Sequence, residues 1–245
     1  MKSWTYKNFT IHQFEELEST NKTAFELVAA KKIFDREIIL ADKQTAGKGR
    51  NSRVWHSPQG NLYFSLVLQP NISAQKIAQI SFVAVTALRL AIQLLKPDLK
   101  IENKWPNDLL IDEKKIAGIL LESKINQKNC ELVIVGIGLN IVSNPGQTIF
   151  PASNLKKFGI EISCEKALKN FLNQFENLYK NYLDFGFVGI RKLWLEKSFC
   201  LNQEIKVKNN NQEISGIFSD LDEEGNLILK TSDGIKKISA ADVYT

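Results

Sequence analysis

The chain has 245 residues, 44% hydrophobic and 24% charged. This is the make-up of a globular chain with one large domain and room for a small appendage, and it excludes general disorder or a low-complexity fibre. Its 32 basic and 27 acidic residues leave a net charge of +5, which neither requires nor forbids a nucleic-acid partner.

In chain order, FTIHQFEEL (9–17) reads as a strand. A helix follows, with Thr23 and Glu26 in the T-x-x-E spacing of a capping box. The β-branched run EIILA (37–41) predicts a second strand, and NLYFSLVLQ (61–69) a third, read as alternating. Residues 73–95 form the clearest helix, with Ile77, Ile80, Ala84, Leu88, Ala91 and Leu95 on one stripe and Pro97 as its stop. Two strands then flank a turn at Asp112 and Glu113, and a very apolar strand covers 131–142. Helices are expected over 165–184 and 187–195. Beyond about Ser198–Asn202 the texture becomes short β runs split by NNN, DEEGN and TSDG, the pattern of a small antiparallel barrel. The expected domains are therefore 1–197 and 198–245.

Cys130, Cys164 and Cys200 are odd in number and form no CxxC pair, so a reducing cytoplasm is the expected compartment. With only His12 and His56 beside them, no Cys/His metal site is expected. The start MKSWTYKNFTIHQF has no apolar core of the kind a secretion signal needs. The charge-free stretches 77–88 and 132–155 are too short or too interrupted to span a membrane.

Four segments could carry chemistry. Gln44-Thr45-Ala46-Gly47-Lys48-Gly49-Arg50-Asn51-Ser52-Arg53-Val54-Trp55 combines glycines with three cations and suits a phosphate or carboxylate, although alone it reads equally as a solvated basic loop. It is neither a P-loop nor a dinucleotide fingerprint, since Asp42 and Gly49 break the first pattern and Ser52 the second. Lys104-Trp105-Pro106-Asn107-Asp108 precedes Lys114-Lys115-Ile116-Ala117-Gly118-Ile119, where the Asn-Asp pair also suits plain turn chemistry. Gly136-Ile137-Gly138-Leu139-Asn140 places glycines in a buried strand, a sign of close approach or of a bulge. Glu18-Ser19-Thr20-Asn21 also reads as a helix start.

In this order, EST-N, QTAGKGR-x-x-R-x-W, KWPND, KKIAGIL and VGIGLN, the chain resembles the biotin protein ligases over about residues 11–245. The resemblance implies an α+β fold: a mixed β-sheet with helices on one side, like class II aminoacyl-tRNA synthetases, plus the C-terminal barrel. It implies formation of biotinyl-5′-AMP from biotin and ATP, then transfer of biotin to a lysine of a biotin carboxyl carrier protein. By position, Ser19, Thr20, Asn21, Gln44, Lys48, Gly49, Arg50 and Lys115 fall to biotin, and Arg50, Arg53, Trp55, Asn107, Asp108, Lys115 and Asn140 to ATP. Lys115 and Arg50 are the catalytic pair, Asp108 stands near Mg2+, and Phe150 is placed over the adenine. Lys48 and Asn51-Ser52 depart from the arginine and Arg-Gly usual in that loop, which weakens bidentate phosphate contact. With about ten residues before the first strand, the monofunctional type without a DNA-binding domain is expected, with no DNA or membrane partner and a homodimer as the assembly the resemblance allows. A lipoate or octanoate ligase or transferase of the same fold, and a non-enzymatic biotin sensor, are the rivals.

Overall fold

The computed structural model describes residues 1–127, 129–146, 148, 150–209 and 212–244. β1 (Lys2–Tyr6), which the sequence reading left out, pairs antiparallel with β2 (Phe9–Leu17). α1 (Thr20–Ala29) then carries the chain to β3 (Glu37–Gln44), parallel to β2. The cap of α1 is Ser19, whose hydroxyl accepts from the Lys22 N–H, so the helix starts three residues before the expected Thr23 box. β4 (Leu62–Leu68) is buried along its whole length rather than alternating, because both sheet faces are covered.

A two-residue strand β5 (Ile72–Ser73) leads into α2 (Ile77–Gln93), buried on nearly every side rather than on one stripe. Leu95, expected on that stripe, lies beyond the helix and is exposed. The run Ala74–Gln93 is apolar enough by composition to cross a membrane, and most of it is buried in this core. β6 (Ile101–Lys104), also missed, pairs with β7 (Asp108–Ile111), and β7 with β8 (Lys114–Asn126). The β7–β8 turn is the one expected, with Asp112 and Glu113 both at positive φ. β9 (Asn129–Leu139) lies between β8 and β4, completing the order β1-β2-β3-β4-β9-β8-β7-β6 with β5 on β9.

α3 (Cys164–Phe185) is capped by Ser163, and α4 (Phe187–Leu195) follows the positive-φ Gly186. The expectation of helices on one side holds for α2, α3 and α4. α1 packs on the opposite face: Ile39, Val67 and Ile134 join Ala24 there, while Ile38, Leu66 and Val135 face the main core.

β10 (Glu204–Asn209), β11 (Gln212–Leu221), β12 (Leu227–Thr231), β13 (Gly234–Ile238) and β14 (Asp242–Tyr244) make the second antiparallel sheet, ordered β13-β12-β11-β10-β14. Among the described residues no pairing joins β13 to β14. The small sheet does not hold a separate core: Phe218, Leu221, Leu229 and Val243 belong to the same cluster as Phe64, Phe82 and Trp194. Trp105 Nε1 donates to Gly225 O across this junction at 3.0 Å, and Arg191 Nε to Leu221 O at 2.8 Å.

Candidate active site

One cavity of about 420 Å³ opens where the start of α1, the end of β3, the 44–56 loop, the β6–β7 corner, β8, β9 and β14 converge. It has two differently lined parts. The first is uncharged. Thr20 N and Oγ1 lie 2.8 and 3.1 Å from Gln44 Oε1, and Gln44 Nε2 donates to Ser57 Oγ at 2.9 Å. Ser65 Oγ lies 2.7 Å from Thr20 Oγ1 and 2.5 Å from Asn21 Oδ1, and Asn21 Nδ2 donates to Glu122 Oε2 at 2.7 Å. The start of α1 is thus tied to β3, β4 and β8 by side chains that are satisfied before any ligand enters.

Two glycines admit this packing. A Cβ on Gly136 would meet Asn21 Oδ1 at 2.3 Å, and one on Gly138 would meet Trp55 Nε1 at 2.4 Å. Bare backbone at β9 therefore lets Asn21 and the Trp55 indole lie flat on the sheet. Trp55 Nε1 is buried with no hydrogen-bond partner, an open donor in the cavity wall.

The second part is cationic. Lys48, Arg50, Arg53, Lys104 and Lys115 line the cavity against two carboxylates, Asp108 and Asp242. Lys115 Nζ stands 2.6 Å from Asp108 Oδ1 and 5.2 Å from the Trp55 ring centroid. Arg53 pairs with Asp242 through both carboxylate oxygens, which fastens the loop to β14. Burial pushes the Asp242 carboxyl up, but the Arg53 hydrogen bond and the charges of Arg53, Arg50 and Lys104 together pull it below the usual value. Arg50 is held loosely, 3.4 Å from Asn107 Oδ1 and 3.3 Å from Ala241 O. Lys104 Nζ sits 4.1 Å over Phe150, and Phe150 packs at 5.1 Å against Tyr244. Burial pushes the Lys104 ammonium down from its ordinary value, which Asp108 resists and Lys115 reinforces. A surplus of cations in a partly closed cavity is a receptor for a polyanion.

A model of the biotin/lipoate A/B protein ligase family matches residues 14–140, and one of the biotin protein ligase C-terminal domain matches 200–244. The chain belongs to the biotin/lipoate A/B protein ligase family. It is similar to the bifunctional ligase/repressor BirA of Bacillus subtilis (strain 168), 37% identical over 235 residues that cover 93% of this chain and 71% of that protein. It is 36% identical over 235 residues to the biotin–acetyl-CoA-carboxylase ligase of Paracoccus denitrificans, covering 93% of this chain and 97% of that one. Among solved structures, the biotin protein ligase of Aquifex aeolicus in complex with biotin and ATP superposes with a TM-score of 0.82 at 26% identity, over 95% of this chain and 97% of that one.

The residues to which the family resemblance gave roles line one cavity: Ser19, Thr20, Asn21, Gln44, Lys48, Gly49, Arg50, Arg53, Trp55, Asn107, Asp108, Lys115, Asn140 and Phe150, whereas Gly47, Asn51 and Ser52 of the same loop do not. Asn140 and Asn107 spend their amide nitrogens on holding backbone. Asn140, 2% exposed, donates to Ser153 O at 3.0 Å, and Asn107 Nδ2 donates to Ile119 O. Lys104, named in the KWPND segment but given no role there, also lines the cavity, and the β14 residues Asp242 and Val243, with Ala241 just before that strand, line it without having been singled out in the sequence. Ser57, Ser65 and Glu122 support it from behind.

Among the described residues no cluster of three or more His, Cys, Asp or Glu could cage a metal. The donor set still fits Mg2+, which takes one or two carboxylates and draws its other ligands from phosphate and water. Asp108 Oδ1 is buried and at ion-pair distance from Lys115, yet receives no hydrogen bond of good geometry.

Proposed function

We propose that this protein is an ATP-dependent biotin protein ligase. The observation that carries the reading is the junction, within one cavity, of an uncharged donor–acceptor array with a five-cation cluster. The array around Ser19, Thr20, Asn21 and Gln44 suits a cyclic urea, which both donates and accepts. The cluster suits a carboxylate meeting a triphosphate.

In the first step a biotin carboxylate oxygen attacks the α-phosphorus of ATP, the bond to the β-phosphate oxygen breaks, and pyrophosphate leaves. Lys115 and Arg50 neutralise charge where the bond forms, with Lys48 and Gly49 closing over the acyl chain. Arg53, Trp55, Asn107 and Asn140 shape the nucleotide side, and Phe150 covers the adenine. Asp108 would help hold the Mg2+ that accompanies the triphosphate, and that ion would supply charge neutralisation at the departing pyrophosphate. In the second step the neutral amine of the carrier's lysine attacks the acyl carbon, the C–O bond to phosphate breaks, AMP leaves and the nitrogen loses a proton. No side-chain nucleophile is required. Positioning and fixed charge do the catalytic work.

The acceptor in this reading is a biotin carboxyl carrier protein such as that of acetyl-CoA carboxylase, a substrate suggested by the name of the Paracoccus denitrificans relative. Residues 1–197 are the catalytic part, and 198–245 a second unit that lends β14 to the cavity wall.

The family also includes lipoate ligases, whose dithiolane ligand has no hydrogen-bonding group to match the array. A site built for such groups rejects a ligand lacking them, by as much as ~10⁴–10⁵. Pyrophosphate–ATP exchange should therefore need biotin and ignore lipoate. Exchange that runs equally well without biotin, or only with lipoate, removes this reading.

A further inference from the structure

Glu122 lies on β8, paired in register with Ile134 of β9, and does not line the cavity. Its carboxylate receives Asn21 Nδ2 at 2.7 Å. A carboxylate can only accept, so this contact fixes which end of the Asn21 amide points where. Asn21 Oδ1 is then turned to Ser65 Oγ at 2.5 Å, over the bare backbone of Gly136. Ser65 has one hydrogen to share between Asn21 Oδ1 at 2.5 Å and Thr20 Oγ1 at 2.7 Å, while Thr20 Oγ1 itself donates to Gln44 Oε1 at 3.1 Å, so the end of the Asn21 amide that faces Ser65 decides how much of that hydrogen Thr20 receives. Thr20 N–H meanwhile donates to Gln44 Oε1, and Gln44 turns its amide nitrogen to Ser57. These contacts link a charged anchor, through Asn21 and Ser65, to the ligand-facing hydroxyl of Thr20. Asn21 and Ser65 are 4% and 0% exposed, so no solvent is at hand to correct a reversed amide.

We infer that Glu122 is a positioning residue that sets the donor–acceptor pattern the cavity presents to the urea end of its ligand, without touching that ligand. This rests on the biotin reading above. Reversing the Asn21 amide would turn its nitrogen toward Ser65, send the serine hydrogen wholly to Thr20 Oγ1 and change what that hydroxyl offers, while Gln44 stays oriented by the Thr20 N–H.

The test compares the unmodified chain with Glu122→Gln, Asn21→Asp and the double variant in biotin-dependent pyrophosphate–ATP exchange. Glutamine has the same shape but can donate, so it accepts Asn21 in either orientation. The KM for biotin should rise about tenfold, the size of one net hydrogen bond, while the KM for ATP and kcat stay near the starting values. Asn21→Asp alone sets two carboxylates against each other and should be worse. The double variant restores one donor and one acceptor in exchanged places and keeps an acceptor facing Ser65, so it should recover most of the loss of Glu122→Gln. A biotin KM within twofold of the unmodified chain in Glu122→Gln overturns the inference. So does a parallel rise of both KM values with a lower melting temperature, or a double variant no better than the product of the singles. Those results leave the biotin reading standing, whereas absence of biotin-dependent exchange in the unmodified chain overturns both.

Discussion

Lys115 Nζ lies 2.6 Å from Asp108 Oδ1, across the hairpin that joins β7 to β8, with the Trp55 ring on its other side. The aspartate keeps the ammonium aimed into the cavity, and an arriving phosphate or carboxylate competes for the same cation. Lys115→Ala should lower the exchange rate by ~10²–10³, by analogy with loss of one donor to a transition state. The far-ultraviolet circular dichroism should not change, because the side chain is 25% exposed. Near-normal exchange would reduce Lys115 to a partner for Asp108.

Among the described residues Arg50 makes two long contacts, to Asn107 Oδ1 and Ala241 O, and so has donors in reserve for a ligand. Ordering the 44–56 loop costs roughly 1–2 kcal/mol per residue fixed, and contacts to a bound adenylate offset this. Losing a charge-assisted bond worth ~1.5–3 kcal/mol should raise the escape rate of the intermediate by one to two orders of magnitude. Arg50→Gly should thus make biotinyl-AMP and leak it, measured as biotin on serum albumin. Formation of the adenylate with no faster albumin labelling would separate Arg50 from retention.

Gly136→Ala and Gly138→Ala distinguish the two parts of the cavity. The first sets a methyl 2.3 Å from Asn21 Oδ1, the second 2.4 Å from Trp55 Nε1. Neither contact is tolerable, so a side chain must move. Gly136→Ala should raise the biotin KM by about tenfold or more, equivalent to about 1.4 kcal/mol. Gly138→Ala should act on both substrates, since Trp55 also packs by Lys115. Steady-state kinetics with each substrate varied in turn separates them.

Lys104 gives a pH-dependent prediction. Burial lowers its folded pKa, so between the folded and unfolded values the unfolded chain holds more protons, and stability rises with pH as pH climbs through the folded value. Lys104→Met should therefore melt higher than the unmodified chain near neutral pH and lose that alkaline gain. Its KM for ATP should rise about tenfold or more if the ammonium meets phosphate. Melting curves from pH 7 upward, with ATP kinetics, check both halves.

The motif residues were legible because each stretch of sequence held its own chemistry: glycines beside cations, an Asn-Asp corner, glycines in an apolar strand. What was lost is informative. β6 hides as IENK because Glu102 and Asn103 are buried polar residues in a strand, where apolar periodicity gives no signal. Ser65 did carry a signal, as a hydroxyl inside NLYFSLVL that had to find a partner once buried. Glu122 and Asp242 carried none, since their partners Asn21 and Arg53 lie 101 and 189 positions away. The extra helix layer escaped for the same reason: which sheet face α1 covers is decided by the path of the crossover.

That separation between Arg53 and Asp242 has a consequence during synthesis. The Thr20–Gln44 contact joins residues only 24 positions apart, which are synthesised close together. The loop cannot be fastened to β14 until residue 242 has been made, roughly 10–40 s after Arg53 at usual elongation rates. The strap that holds the phosphate-gripping loop is thus among the last contacts of the site that synthesis makes possible.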